Sequence, residues 1–252
     1  MITLSRALSA EVLKTKRTLT LGLAFLAPLA VAFLEFVMHM QMGERAMKPG
    51  AEAWISLSQH SLILWTLLML PLFVTLETGL LSALEHNNKT WKQLYALPLP
   101  RWVVYAAKQL TGMGLIGLSM IVMVTMIVGV GLLLNLFRPT LGFAAPIPWP
   151  TIIQTYLLTY LASWLIISLH LWVSAHWSSF VVAMGAGIVA TVAGVMVINS
   201  DWAKYYPWTL PFMVSVGFVE GEVIGGQLAL GVIGGIVIAL AGGWDVIRRD
   251  VL

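Results

Sequence analysis

The chain has 252 residues, of which 59% are hydrophobic and only 10% charged, with a mean hydropathy of +0.90 and a formal net charge of +3. A soluble core of this length cannot use so much apolar surface, so a water-soluble globular domain is excluded. The lack of any cysteine removes disulfides, thiolate metal sites and cysteine nucleophiles.

Residues 2–18 repeat apolar side chains at Leu4, Leu8 and Val12 on one helical face, with Arg6, Glu11, Lys14 and Arg17 around the rest. This pattern predicts an interfacial helix over 1–18 lying flat among headgroups, with a frayed basic tail as the plain alternative. Apolar stretches follow near 19–40, 58–81, 107–136, 151–174, 179–199 and 223–243, each matching the roughly 20 residues that cross about 30 Å of hydrocarbon. The fold expected is all-α: one polytopic domain over 1–252 with six transmembrane helices. A cleaved signal peptide over 1–32, ending at Ala30-Val31-Ala32, competes for the first stretch, but the apolar run continues past that point.

The ionisable groups singled out within or near hydrocarbon are Glu35 and His39 in the first span, Glu77 in the second and His170 in the fourth. Charge at mid-bilayer is costly, so such groups face protein or water and are candidates for a pathway. Glu35 and His39 are four apart, on one face, and either pair or line an outward cavity. Glu77 sits near the inner boundary, where capturing water is the simpler role. His170 reads first as a hydrogen-bonded bundle residue and second as a proton carrier.

Between spans two and three lies the most informative polar stretch, Ser82 to Arg101. Thr90 with Gln93 three residues later fits a capping box; the helix it starts puts Trp91, Leu94 and Tyr95 on one face, and Pro98 and Pro100 stop it. Such a knob docks in another protein's groove, or else its rings anchor at the headgroups. Residues 137–150 hold too many prolines to be helical throughout, and 200–222 carry Trp202, Tyr205, Tyr206 and Trp208; both read as re-entrant or surface loops. The connection 175–178 is a tight hairpin. Small residues recur every four positions at Ala186, Ala190 and Gly194, and again at Gly231, Gly235, Ala239 and Gly243, a spacing that lets membrane helices approach closely.

Arg6, Lys14, Lys16, Arg17, Lys89, Lys92, Arg101, Lys108, Arg248 and Arg249 fall on one side of these spans, against Arg45, Lys48, Arg138 and Lys204 on the other. The positive-inside bias therefore predicts both termini in the cytoplasm. The phosphate-binding Gly-x-x-x-x-Gly-Lys-Ser/Thr pattern, His-Glu-x-x-His and Gly-x-Ser-x-Gly do not occur, so neither a nucleotide site nor a hydrolase site is recognisable in this chain.

Glu85, then Lys89-Thr90-Trp91-Lys92-Gln93-Leu94, Leu97-Pro98, Arg101 and Lys108 resemble the first cytoplasmic loop of ABC-2 type permeases, in particular the small six-span subunits of bacterial exporters that include lantibiotic-immunity permeases. The basic amphipathic start and the Trp244-Asp245 to Arg248-Arg249-Asp250 tail resemble them too. The resemblance implies a permease in the bacterial cytoplasmic membrane that is not itself an enzyme. It would assemble with a second permease, identical or homologous, and two cytoplasmic ATPase subunits that carry ATP and magnesium. No cofactor of its own, no metal and no nucleic acid are implied. Segment 84–97 becomes the ATPase contact, with Glu85, Thr90, Trp91, Gln93 and Leu94 as coupling residues and Lys89 and Tyr95 beside them; the tail and 175–178 would be secondary contacts. The large extracellular domain of some relatives is missing. The cargo implied is an amphipathic or antimicrobial peptide. An intramembrane lipid-modifying enzyme using Glu35, His39 or Glu77, and a non-transporting anchor or sensor for a cytoplasmic ATPase, are the alternatives.

Overall fold

The computed structural model describes residues 2–16, 18–43, 52–87, 100–177 and 179–248. No strand occurs among them, and six helical stretches are long and apolar enough to cross a membrane. Helix α1 covers Ile2–Thr15 and α2 Leu19–Met42; the second span joins α3, Ala53–Leu64, through a π-helical turn, Trp65–Met69, to α4, Leu70–Asn87. Helix α5 runs over Arg101–Phe137, the fourth span is split into α6, Trp149–Ala162, and α7, Trp164–His176, and α8 covers Phe180–Val197. The short α9, Leu210–Glu220, precedes the last span, α10, Gly225–Arg248. All six expected spans are found, but the second and third start several residues early. Trp54, Ser56, Leu57 and Ser58 are buried inside the bundle, so their serines never meet lipid and hydropathy underrates them. Helix α5 starts directly after Pro100, which donates no N–H.

Two interruptions shape the bundle. Pro71 also lacks an N–H, and the helix widens just before it, so that the Leu70 N–H reaches back to the Trp65 carbonyl. Around this turn Thr66 donates to the Leu62 carbonyl at 2.6 Å and Thr75 to the Pro71 carbonyl at 2.8 Å. At Ser163 the N–H is shared by the Thr159 and Tyr160 carbonyls, both at 3.1 Å, and Oγ donates to Tyr160 at 2.6 Å.

Helix α10 lies across that second break. A Cβ on Gly231 would stand 2.6 Å from the Ala162 carbonyl oxygen, and one on Gly235 2.8 Å from the Trp164 carbonyl carbon; glycine alone permits this approach. The four-residue stripe does not continue as expected: Ala239 and Gly243 are half-buried, and Gly242 takes the buried place against the Tyr105 hydroxyl. Each four-residue step overshoots a helical turn by about 40°, so three steps swing Gly243 about 120° off the face. In α8 the packed stripe is likewise Ala183, Gly187, Thr191 and Gly194, while Ala186 is exposed and Ala190 half-buried.

The connection after α5 is no loose surface loop. Beyond a 3₁₀ turn at Pro139–Leu141, Gly142 takes a left-handed φ of 86°; Phe143 then turns in against Trp54 with ring centroids 5.2 Å apart, and Trp54 Nε1 donates to the Ala145 carbonyl at 2.9 Å. Helix α9, too short to cross a bilayer at 1.5 Å per residue, packs on α6 with Leu210, Pro211, Val214 and Ser215 buried. Gly221 ends it at φ 75°, with the Glu222 N–H on the Gly217 carbonyl at 2.8 Å. The second, third and fourth spans form the centre, 50 to 61% buried, whereas α2, α8 and α10 are 22 to 28% buried and present their apolar faces outward.

Candidate functional site

Among the described cations, Arg6 and Lys14 of α1, Lys16 just after it, Arg101 and Lys108 at the start of α5 and Arg248 at the end of α10 lie on elements joined through α5, which packs against both α1 and α10. Lys108, two turns inside α5, is 1% exposed. Its Nζ donates to Glu11 Oε2 at 3.2 Å and to the Leu81 carbonyl at 2.7 Å, while Lys14 pairs with Glu11 Oε1 at 2.5 Å. A buried ammonium needs such a counter-charge and acceptors. One cation thereby ties α1, the end of α4 and the start of α5. Glu11, expected on the polar side of α1, is instead buried with Thr15 against the bundle, and Val12 and Leu13 are exposed.

Helix α4 runs from this tie toward the segment expected to couple. Lys89, Thr90, Trp91, Gln93, Leu94 and Tyr95 lie outside the described residues; Glu85 lies on α4, and its side chain is outside the description. The two expected secondary contacts are joined to each other. Asp245 Oδ2 of α10 accepts from Trp172 Nε1 at 3.0 Å and lies 3.2 Å from His176 Nδ1, at the end of α7.

The candidate pathway residues form three separate places. Glu35 and His39, both buried, lie on α2 with His39 Nδ1 3.5 Å from Glu35 Oε2 and 2.9 Å from the Glu35 backbone carbonyl. The His39 ring meets His60 of α3 edge-on at 6.1 Å, and on the same helix Ser61 Oγ shares a 2.8 Å hydrogen bond with the Tyr156 hydroxyl of α6. The two side chains thus lie side by side inside the bundle, with the close Nδ1 contact going to the Glu35 backbone carbonyl and no hydrogen-bond partner for Glu35 Oε2 among the described residues. Glu77 is fully buried, with no hydrogen-bond partner for either oxygen among the described residues. Two residues apart on one helix, Thr75 and Glu77 face opposite ways, and Glu77 does not join His170. His170 Nε2 instead lies 3.3 Å from Thr75 Oγ1, its ring stands edge-on to Trp208 at 5.4 Å, and Gly187 of α8 closes against both Thr75 and His170.

Sequence reasoning missed the partners more than the residues. Glu11 with Lys108, Ser61 with Tyr156 and Thr75 with His170 are each more than ninety positions apart, and only the isolated polar residue in an apolar run signals that a partner exists. Among the described residues no group of three His, Cys, Asp or Glu side chains is placed to hold a metal ion. Residues 7–194 match the family described as ABC-2 family transporter protein. No curated protein and no solved structure matches the chain.

Proposed function

The chain belongs to the ABC-2 family of transporter proteins, and from that premise we propose that it is the permease subunit of an ATP-driven exporter, moved by separate ATPase subunits that dock on segment 84–97. A multi-pass membrane protein of this family is a permease component of an ABC transporter and works in general with ABC ATPases. The finer reading is that two ATPases and a second permease, identical or homologous, complete the assembly in a bacterial cytoplasmic membrane, and that an amphipathic peptide leaves the cell or its bilayer through it.

The observation that carries the coupling reading is the tie at Lys108. A push on 84–97 enters the bundle through the end of α4 and the start of α5, and Lys108 joins those two ends to each other and to α1. Helices so joined tilt together, and the breaks at Trp65–Met69 and Ser163 are places where a tilt is absorbed. The joined His176 and Asp245 give the same end a second surface for an ATPase.

The test is purification from native membranes in mild detergent, with the co-purifying polypeptides identified by mass spectrometry. Wild type is expected to bring down an ATP-binding polypeptide. The double substitution Trp91→Asp with Leu94→Asp is expected to lose it while the permease remains inserted at the wild-type level. Unchanged recovery of the ATPase with the double variant would remove the docking role from this segment.

A further inference from the structure

We propose that the cleft between α5 and α10 at the basic end of the bundle binds an anionic phospholipid, with an acyl chain between the helices and the phosphate on Arg248. The cleft holds about 440 Å³, within the roughly 300–1,000 Å³ of small-ligand sites. Its walls are apolar and its floor is kept open by Ala239 and Gly243, the two small residues of α10 that turn away from the Gly231 and Gly235 contact. Trp102 and Trp244 stand at its mouth, 49% and 57% exposed, at the depth where indole rings mark the headgroup level. The Arg248 guanidinium lies 3.7 Å over the Trp244 ring, a posture that leaves its fork of N–H donors for a phosphate. Arg101, the first residue of α5, adds positive charge at the same end.

Deeper in the cleft Gln109 is 6% exposed and gives one amide N–H to Ser168 Oγ at 2.7 Å. A larger groove of about 590 Å³ between α5 and α6 has Gly114, Ile121 and Tyr160 among its walls and no charged residue, so nothing there selects one lipid over another. The smaller cleft is likewise lined without charge but has Arg248 stacked on Trp244 of its wall, and an apolar interior beside basic side chains is how basic pockets between membrane helices hold anionic headgroups.

Native mass spectrometry of the purified protein, offered equal amounts of dioleoyl phosphatidylglycerol and dioleoyl phosphatidylcholine, tests this. Wild type is expected to keep phosphatidylglycerol preferentially. Arg248→Gln should cut that preference about fivefold, the effect of one cation near the surface, with phosphatidylcholine retention unchanged. Ala239→Phe, which fills the cleft, should lower retention of both. Arg248 is exposed, so its variant keeps the fold and the charge comparison is readable even if Ala239→Phe fails to insert. Equal retention of the two lipids by wild type, or an undiminished preference in Arg248→Gln, overturns the proposal. A dimer that excludes lipid from both proteins does so too.

Discussion

Lys108 is buried in the bundle where one carboxylate on α1 and one carbonyl on α4 reach its Nζ. Glu11→Gln removes the counter-charge and leaves the ammonium buried, which should lower stability by about 3 to 5 kcal/mol. Denaturant unfolding in detergent measures the loss, and the double variant Glu11→Gln with Lys108→Met should recover part of it, since the buried ammonium is then gone and Lys14 is part-exposed to solvent. Equal stability of Glu11→Gln and wild type would mean that the pair holds nothing together. The same reasoning applies without charge at Gly187, which sits against Thr75 and His170. Gly187→Ala should cost about 1 to 3 kcal/mol by overpacking, whereas Gly185→Ala, with nothing within 4 Å of its new methyl, should be neutral or slightly stabilising. At this scale the sequence was half legible. Glu35, His39, Glu77 and His170 stand out as ionisable residues in apolar runs, but the partner of His170, like that of Lys108, comes from a helix remote in the chain.

Helices were legible where hydropathy alone decides and shifted where burial in protein replaces lipid. The span at 19–40 is α2 nearly residue for residue, because its outward face is lipid-like along its length. The span at 58–81 begins at Ala53 instead, because Ser56 and Ser58 are hidden by neighbouring helices. Spacing placed Gly194, Gly231 and Gly235 on packed faces of α8 and α10 but carried Ala186, Ala190, Ala239 and Gly243 off them, since a strict four-residue repeat drifts around a 3.6-residue helix. This gives a prediction for the element as a whole. Gly235→Val forces α10 off the Ala162–Trp164 break and should destabilise strongly, while Ala239→Gly, on the half-buried side, should cost about 1 kcal/mol or less, the price of helix propensity alone. Thermal unfolding of the two variants ranks them, and a larger loss in Ala239→Gly would mean that the α10 contact has been assigned to the wrong face.

For the whole molecule, the distribution of charge is the argument that joins fold to function. Coupling requires 84–97, α1 and the ends of α7 and α10 to share the cytoplasmic side, and the structure gathers α1 and the ends of α4, α5 and α10 at one end through Lys108 and its neighbours. Arg138 marks the opposite end, where its guanidinium donates to the Met40 carbonyl at 2.8 Å. The natural chain has no cysteine, so a single introduced thiol reports its side of the membrane without background. Asn88→Cys, in the segment after α4, should react with a membrane-impermeant maleimide only after the cells are opened. Asp201→Cys, at an exposed position between α8 and α9, should react in intact cells. The reverse pattern would put the segment on the wrong side for any cytoplasmic ATPase, and the anionic-lipid cleft on the leaflet with less negative charge, because both depend on the same end of the bundle facing inward.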